Sequence, residues 1–201
     1  DLPPDILSPI TDVLLHHELA LLWLTGDSRL LARLRISVRK INVFAHKPLN
    51  FPAELLHYFP MLKHVSTKNL IGESDEISRT ALHSWPKTVT SLDLTTQRLF
   101  VHEELKLSDI FPDLKSLQIM GRSQLPSSFL LPWPRSLETI RLQDCMLENS
   151  TALLVDLPDS LTYLQLPIFA YDSEEPIKWP SLVTLKLNLE LNSLRIFSHL
   201  P

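Results

Sequence analysis

The chain has 201 residues, of which 44% are hydrophobic, and a formal net charge of −4 at pH 7. This length and apolar content suffice for a sizeable buried core, and the mixture of acidic and basic residues provides no basic field to attract nucleic acid or an anionic membrane. The single cysteine, Cys145, excludes an internal disulfide and favours a reducing compartment, the cytoplasm or the nucleus.

The first 36 residues have the apolar spacing of helices. Three stripes recur at intervals of three or four: Ile6, Ile10, Val13 and Leu14; Leu19, Leu22 and Trp23; and Leu30, Leu31 and Leu34. The longest apolar run, LALLWL, is far too short to cross a bilayer. We predict three short helices with more apolar surface than so small a unit can bury alone. Part of this surface should pack on the following residues, and part should meet a partner.

A repeat begins near residue 37. Proline follows an aromatic residue or leucine every 21 to 26 residues, and the ladder L-x-x-L-x-L or its aliphatic equivalent comes after it, as in WPSLVTLKL. An earlier unit, Val38/Ile41/Val43, lacks the proline but fits the same frame, which makes seven units. The prolines are Pro60, Pro86, Pro112, Pro134, Pro158, Pro180 and Pro201. Since the last proline has no ladder after it, we expect further repeats beyond Pro201.

The period of two in x-Leu-x-Leu directs the leucines to one side of a short strand. No unit can bury its leucines alone, so neighbouring strands must stack in parallel around one core. The proline suits the corner before each strand, and the preceding aromatic residue should cap the core there. The predicted fold class is α/β: a leucine-rich-repeat solenoid over residues 37–201, with parallel strands on its concave face and mixed helical and irregular outer segments, preceded by the helical unit of residues 1–36.

The residues between the ladder leucines should form the concave face. This face is polar, with four Lys or Arg side chains against one aspartate, and suits hydrogen bonding to an extended or acidic partner. We therefore predict an unknown protein substrate as its ligand. The candidate substrate-binding residues are Lys40, His64, Lys68, Asp93, Gln118, Arg141, Tyr163, Gln165 and Lys186.

The start of the chain resembles a known family. LPPDIL, then an aliphatic helix, an acidic-Leu-x-x-Leu step and a third short helix are similar to an F-box, and LWLTGDSRLLARL resembles fungal members of the F-box/leucine-rich-repeat proteins. The resemblance implies that the F-box-like unit docks on the Skp1 adaptor of a cullin-RING (SCF-type) ubiquitin ligase while the repeats hold the substrate. By position, the Skp1-docking residues it implies are Leu2, Pro3, Ile6, Leu7, Ile10, Leu19 and Leu22.

Motifs for catalysis are absent from the sequence. It contains no G-x-G-x-x-G, P-loop or G-x-S-x-G, and its closest histidines, His16 and His17, would point to different sides of a helix. Cys145 has no flanking nucleophile signature, and we interpret it as a small packed thiol. We expect a non-catalytic protein without cofactor or metal, and a substrate receptor as its function. The alternative is an intracellular leucine-rich-repeat scaffold whose first helices merely cap the core.

Overall fold

The computed structural model describes part of the chain, namely residues 32, 35–36, 38–42, 56, 59–67, 82–83, 85–95, 105–121, 123–148, 150–169, 177 and 181–189. Of the predicted N-terminal helices, only Ala32, Arg35 and Ile36 belong to this part, and all three are helical. The described core therefore belongs to the repeat region.

The central element is a seven-stranded sheet in which all neighbouring strands are parallel and follow one another in chain order. Its strands are β1 (Lys40–Asn42), β2 (His64–Ser66), β3 (Ser91–Thr95), β4 (Ser116–Met120), β6 (Thr139–Gln143), β8 (Tyr163–Phe169) and β9 (Thr184–Leu189). A second sheet pairs β5 (Gln124–Leu125) with β7 (Met146–Leu147), again in parallel. The fold is thus α/β with a parallel central sheet, as the ladder predicts.

The register of the sheet aligns the same ladder position from every unit. One row of paired residues is aliphatic throughout and runs across the sheet: Ile41, Val65, Leu92, Leu117, Ile140, Leu164 and Leu185. All but Leu185 are at most 1% exposed, and Leu185 is partly buried against the same core. The predicted period of two is confirmed, because the leucines face the core and the residues between them do not.

Backbone hydrogen bonds join consecutive units just before each strand. There, one carbonyl accepts two successive N–H groups from the next unit, as Arg39 does from Lys63 (2.7 Å) and His64 (2.9 Å). The same double acceptor recurs at Lys63, Thr90, Lys115, Glu138 and Thr162. This repetition keeps the strands in phase over the whole sheet.

The corner before each strand is a turn that begins at or just before the proline. The N–H of Leu62 donates to the carbonyl of Phe59, and that of Leu137 to the carbonyl of Pro134. The aromatic residues that precede the prolines, Phe59, Trp85, Phe111 and Trp133, are all buried, as predicted for caps of the core. Pro180 and Trp179 lie outside the described residues.

Hydroxyl groups reinforce these corners, a feature that the ladder pattern does not predict. Ser136 Oγ lies 3.1 Å from the carbonyl oxygen of Pro112 and 2.8 Å from that of Leu114, both in the previous unit. Thr88 and Ser160 make equivalent pairs of contacts in their own units, each with the unit before it. A hydroxyl directly before the first ladder residue therefore links three corners to their predecessors.

The described segments between the strands of the central sheet contain short helices, and two of these segments also contain β5 and β7. The helices are α1 (Leu107–Ile110), α2 (Ser127–Leu130) and α3 (Ser150–Val155). Helix α3 lies in STALLV, and the proline-containing segment SQLPSSFLLPW contains β5 and α2. The outer segments are thus partly helical, as predicted. Within the described part of the chain, no helix combines the length and the apolar content needed to cross a membrane.

Two small residues occupy one buried position beyond the strands. Cys145 follows the last ladder leucine of its unit by three residues, and Ser123 aligns with it because Gln124 pairs with Met146. Both are buried. The sulfur of Cys145 lies 3.2 Å from the carbonyl oxygen of Gln143 and 3.6 Å from that of Ile119.

Candidate functional site

The residues between the ladder leucines form two rows across the sheet, which we call the polar face. The first row is Lys40, His64, Ser91, Ser116, Thr139, Tyr163 and Thr184, and the second is Ser66, Asp93, Gln118, Arg141, Gln165 and Lys186. Eight of the nine predicted substrate-binding residues belong to these rows. The ninth, Lys68, lies outside the described residues, as do all seven predicted Skp1-docking residues, Leu2, Pro3, Ile6, Leu7, Ile10, Leu19 and Leu22.

Asp93 is held within the polar face by hydroxyl groups of the same sheet. Its carboxylate accepts hydrogen bonds from Thr95 Oγ1 at 3.1 Å and from Ser66 Oγ at 3.3 Å, and only 7% of the residue is exposed. Its backbone carbonyl accepts from the N–H of Thr67 at 2.8 Å, and the Thr67 hydroxyl lies 3.4 Å away. Thr67 stands where other units carry a ladder leucine, so Asp93 satisfies a polar residue in an apolar position.

Beside Asp93, His64 and Ser91 form a polar pair across β2 and β3. His64 Nδ1 and Ser91 Oγ are 2.8 Å apart, and both residues are half-buried. A serine hydroxyl beside a histidine is one part of a nucleophilic catalytic site. Such a site also needs hydrogen-bond donors that stabilise the oxyanion. The N–H of Ser91 is already bonded to the carbonyl of Lys63 at 2.9 Å. The Ser91 N–H is therefore not available as an oxyanion donor in this arrangement.

The C-terminal half of the polar face is basic and aromatic. The Arg141 guanidinium carbon lies 4.6 Å from the ring centroid of Tyr163, and Lys186 Nζ lies 5.7 Å from it, both within cation–π range. The Tyr163 hydroxyl donates to Gln165 Oε1 at 3.0 Å. These four residues, which we call the Tyr163 cluster, come from β6, β8 and β9. All four were predicted as binding residues from their position between ladder leucines.

A pocket opens at the carboxyl ends of β6 and β8, next to the Tyr163 cluster. Its lining residues are Leu142, Gln143, Asp144, Cys145, Gln165, Leu166 and Pro167. The pairing of β6 with β8 ends at Arg141 and Gln165, just before Pro167, which has no N–H to continue a ladder. The register of β8 against β9 also shifts between Leu166 and Ile168. The pairing of β6 with β8 thus stops before the proline, and the pocket lies where these two strands are no longer paired.

The turn that follows β6 shapes the other wall of this pocket. Asp144 has a φ of 55°, a left-handed conformation that aspartate tolerates better than most residues. The equivalent position after β4 is Gly121, with a φ of 126°. Both units therefore have a left-handed residue directly after the strand, and the exposed Asp144 is one of the residues that line the pocket.

Cys145 contributes a thiol to the pocket but not a nucleophile. It is 6% exposed, and burial raises its pKa to about 12. Because the thiolate is the reactive form, the group is protonated and unreactive at neutral pH. The prediction of a small packed thiol is confirmed.

Other charged groups near the polar face do not extend this site. Lys115, just before β4, pairs with Glu138 at 2.8 Å, and the hydrogen bond to that carboxylate raises the lysine pKa. Gln118 donates to the sulfur of Met120 at 3.0 Å within its own strand. Among the described residues, no three His, Cys, Asp or Glu side chains come together as metal ligands.

Sequence reasoning found the polar face but missed the pocket. Its signals were present in the sequence: Pro167 stands within a ladder unit, and QDC places an aspartate where a neighbouring unit carries glycine. A proline inside a strand pattern indicates an edge or an interruption of pairing.

The chain matches none of the protein-family models and none of the curated proteins with which it was compared.

Proposed function

We propose that this protein is a non-catalytic substrate receptor of an SCF-type ubiquitin ligase. In this proposal the repeat region is a leucine-rich-repeat solenoid whose polar face binds a substrate protein, and the first 36 residues are an F-box-like unit that docks on a Skp1-like adaptor. The observation that carries the binding role is the polar face itself, two in-phase rows of side chains, one across all seven parallel strands and one across six of them.

The solenoid assignment is supported by how the units stack. Each unit adds one parallel strand beside the previous one, and each leucine layer is completed by its neighbours. Cys145 supports it further, since its unit reads L-x-x-I-x-L-x-x-C-x-L, the leucine-rich-repeat frame with cysteine in the buried polar position. Such stacks use their strand faces as extended binding surfaces.

The adaptor-docking role is supported by the sequence of the first 36 residues. LPPDIL and the apolar stripes after it resemble an F-box, and a short helical unit so rich in leucine needs a partner to cover its apolar surface. The repeat region as described offers a binding face and no assembled catalytic chemistry of its own. A receptor that leaves the chemistry to the ligase is the function that combines both parts.

Co-purification with a Skp1-like adaptor tests this proposal. The chain and a Leu2→Asp/Ile6→Asp variant would be co-expressed with the adaptor and separated by size-exclusion chromatography. The matched control is Met146→Asp/Val183→Asp, which adds the same charge at residues that are 64% and 83% exposed in the repeats. We expect a stoichiometric complex with the wild type and the control only. A folded chain that binds no adaptor would overturn the receptor proposal and favour the scaffold.

A further inference from the structure

We propose that the Tyr163 cluster and the adjoining pocket form a recognition site for an acidic, extended protein segment. The segment carries two carboxylates at alternate positions, which bind Arg141 and Lys186, and a small neutral side chain at the next alternate position, on the same face of the segment, which enters the pocket. This inference rests on the proposed function only in taking the polar face as the partner-binding surface. It does not depend on docking to an adaptor.

The charge of the cluster is positive and not neutralised by its described neighbours. Arg141 and Lys186 are both exposed, and neither is within ion-pair distance of an acidic side chain of the described residues. Lys115 shows the alternative, because Glu138 neutralises it at 2.8 Å. The two cations contact the Tyr163 ring instead, and a ligand carboxylate would give each of them an ion-pair partner.

The spacing of the two cations fits carboxylates from one extended segment. Arg141 and Lys186 both pair with Gln165, so their backbones are two strand separations apart, about 9.6 Å. Their charged ends approach each other more closely, because both lean toward the Tyr163 ring between them. In an extended segment, residues i and i+2 lie on one face about 6.7 Å apart. Glutamates at these positions can reach both cations.

Hydrogen bonding within the cluster orients the side-chain amide of Gln165. The Tyr163 hydroxyl donates to Gln165 Oε1, which directs the amide NH₂ of Gln165 toward other acceptors. Gln165 also lines the pocket and therefore connects it with the cations. A carbonyl or carboxylate oxygen of the segment is the group that this amide would bind.

The pocket selects against an acidic side chain in its own position. Asp144 stands at its rim, and the remaining lining is neutral: Leu142, Gln143, Cys145, Gln165, Leu166 and Pro167. Like charges repel in such a partly desolvated site, so a carboxylate favours the cations and a small neutral residue favours the pocket. The site thereby selects a segment by the order of its residues as well as by its charge.

Direct peptide binding tests the inference. A fluorescently labelled peptide with the core Glu-Ala-Glu-Ala-Ser and its Gln-Ala-Gln-Ala-Ser counterpart would be titrated with the full chain at low salt and followed by anisotropy. Loss of one charge-assisted hydrogen bond typically weakens binding about tenfold or more. We expect the Gln peptide to bind at least about tenfold more weakly, and the binding of the Glu peptide to weaken as salt is added.

Variants assign this binding to the cluster. Arg141→Gln/Lys186→Gln should lose at least about tenfold in affinity for the Glu peptide, whereas Lys63→Gln/Lys87→Gln, exposed lysines outside the strands, should keep the wild-type affinity. Thermal unfolding followed by circular dichroism checks that both variants are folded. Asp144→Asn should allow a peptide with the core Glu-Ala-Glu-Ala-Glu to bind more tightly than it binds the wild type.

Several results would overturn the inference. These are equal affinity for the Glu and Gln peptides, no binding of the Glu peptide at about 1 mM protein, or full retention of binding by Arg141→Gln/Lys186→Gln. A peptide with phosphoserine in place of both glutamates that binds when the Glu peptide does not would show that the site reads phosphate. Adaptor co-purification from the same preparations keeps the two proposals separate, since peptide binding does not require the first 36 residues.

Discussion

The indole nitrogen of Trp133 lies 3.1 Å from the carbonyl oxygen of Leu153 in α3 and donates a buried hydrogen bond to it. Trp85 occupies the same corner position two units earlier and is equally buried, yet its indole nitrogen has no hydrogen-bond acceptor within the described part of the chain. Two equivalent tryptophans therefore fill the core in the same way but differ in whether their polar atom is satisfied.

This difference predicts unequal costs for the same substitution. Trp133→Phe and Trp85→Phe remove similar volume, but only the first breaks a hydrogen bond, and the second removes an unsatisfied N–H. A buried hydrogen bond contributes about 1 kcal/mol, and an unsatisfied buried group costs about 1 to 3 kcal/mol. The two effects add in the comparison, so we expect Trp133→Phe to be the more destabilising by about 2 to 4 kcal/mol in urea unfolding. Equal losses of unfolding free energy would contradict this interpretation.

The corner hydroxyls predict a second stability effect. Ser136 Oγ and Ser160 Oγ each lie within hydrogen-bond distance of two carbonyls of the preceding unit. Since a hydroxyl has one proton, it is shared between them, and its loss should cost about 1 kcal/mol at each site. Ser136→Ala and Ser160→Ala would be compared with Ser128→Ala, an exposed helical serine that should be neutral. A neutral Ser136→Ala would show that these contacts do not stabilise the corners.

The buried row of ladder residues predicts that truncating a side chain costs less stability at β9 than in the interior of the sheet. Leu164 is fully buried between the neighbouring ladder residues Ile140 and Leu185, whereas its partner Leu185 is only partly buried. Large-to-small substitution in a packed core costs about 2 to 5 kcal/mol. Leu164→Ala should fall in this range, and Leu185→Ala should cost clearly less in the same denaturation experiment. The reverse order would mean that the packing at β9 is tighter than its exposure indicates.

These contrasts show how far the sequence could predict the fold. The strands, their parallel order and the buried row follow from the ladder, because a period of two and a recurring proline leave few alternatives. The polar face follows from the same period. The pocket does not, since it depends on where Pro167 ends the pairing of β6 with β8. The shared hydroxyl of Ser136 depends on a tertiary contact that no local pattern contains.

The site was predicted unevenly for a similar reason. Asp93 and Arg141 are both charged residues between ladder leucines, and the sequence treats them alike. In the structure Asp93 is buried and accepts hydrogen bonds from Ser66 and Thr95, whereas Arg141 is exposed over the Tyr163 ring. Which charge is available to a ligand is decided by the side chain in the neighbouring strand, and therefore by the register.

Cys145 gives the last prediction, which concerns pH. Its pKa rises from 9.0 to about 12 in the folded state, chiefly because burial disfavours the thiolate. The folded protein then holds this proton more tightly than the unfolded chain does, so the stabilisation is complete below pH 9 and is lost as the pH rises toward 12. Each pKa unit corresponds to about 1.4 kcal/mol.

The measurement is urea unfolding of the wild type and Cys145→Ala at pH 8 and pH 10 with a reductant present. Every other ionisable group is common to both proteins, so its contribution to the pH dependence of stability cancels in the difference between the two. We expect the stability of the wild type relative to Cys145→Ala to fall by about 1 kcal/mol between these pH values. Parallel pH curves would mean that the thiol ionises as easily in the folded protein as in the unfolded chain. Its sulfur would then have to be accessible to water, contrary to its buried position beside the carbonyls of Ile119 and Gln143.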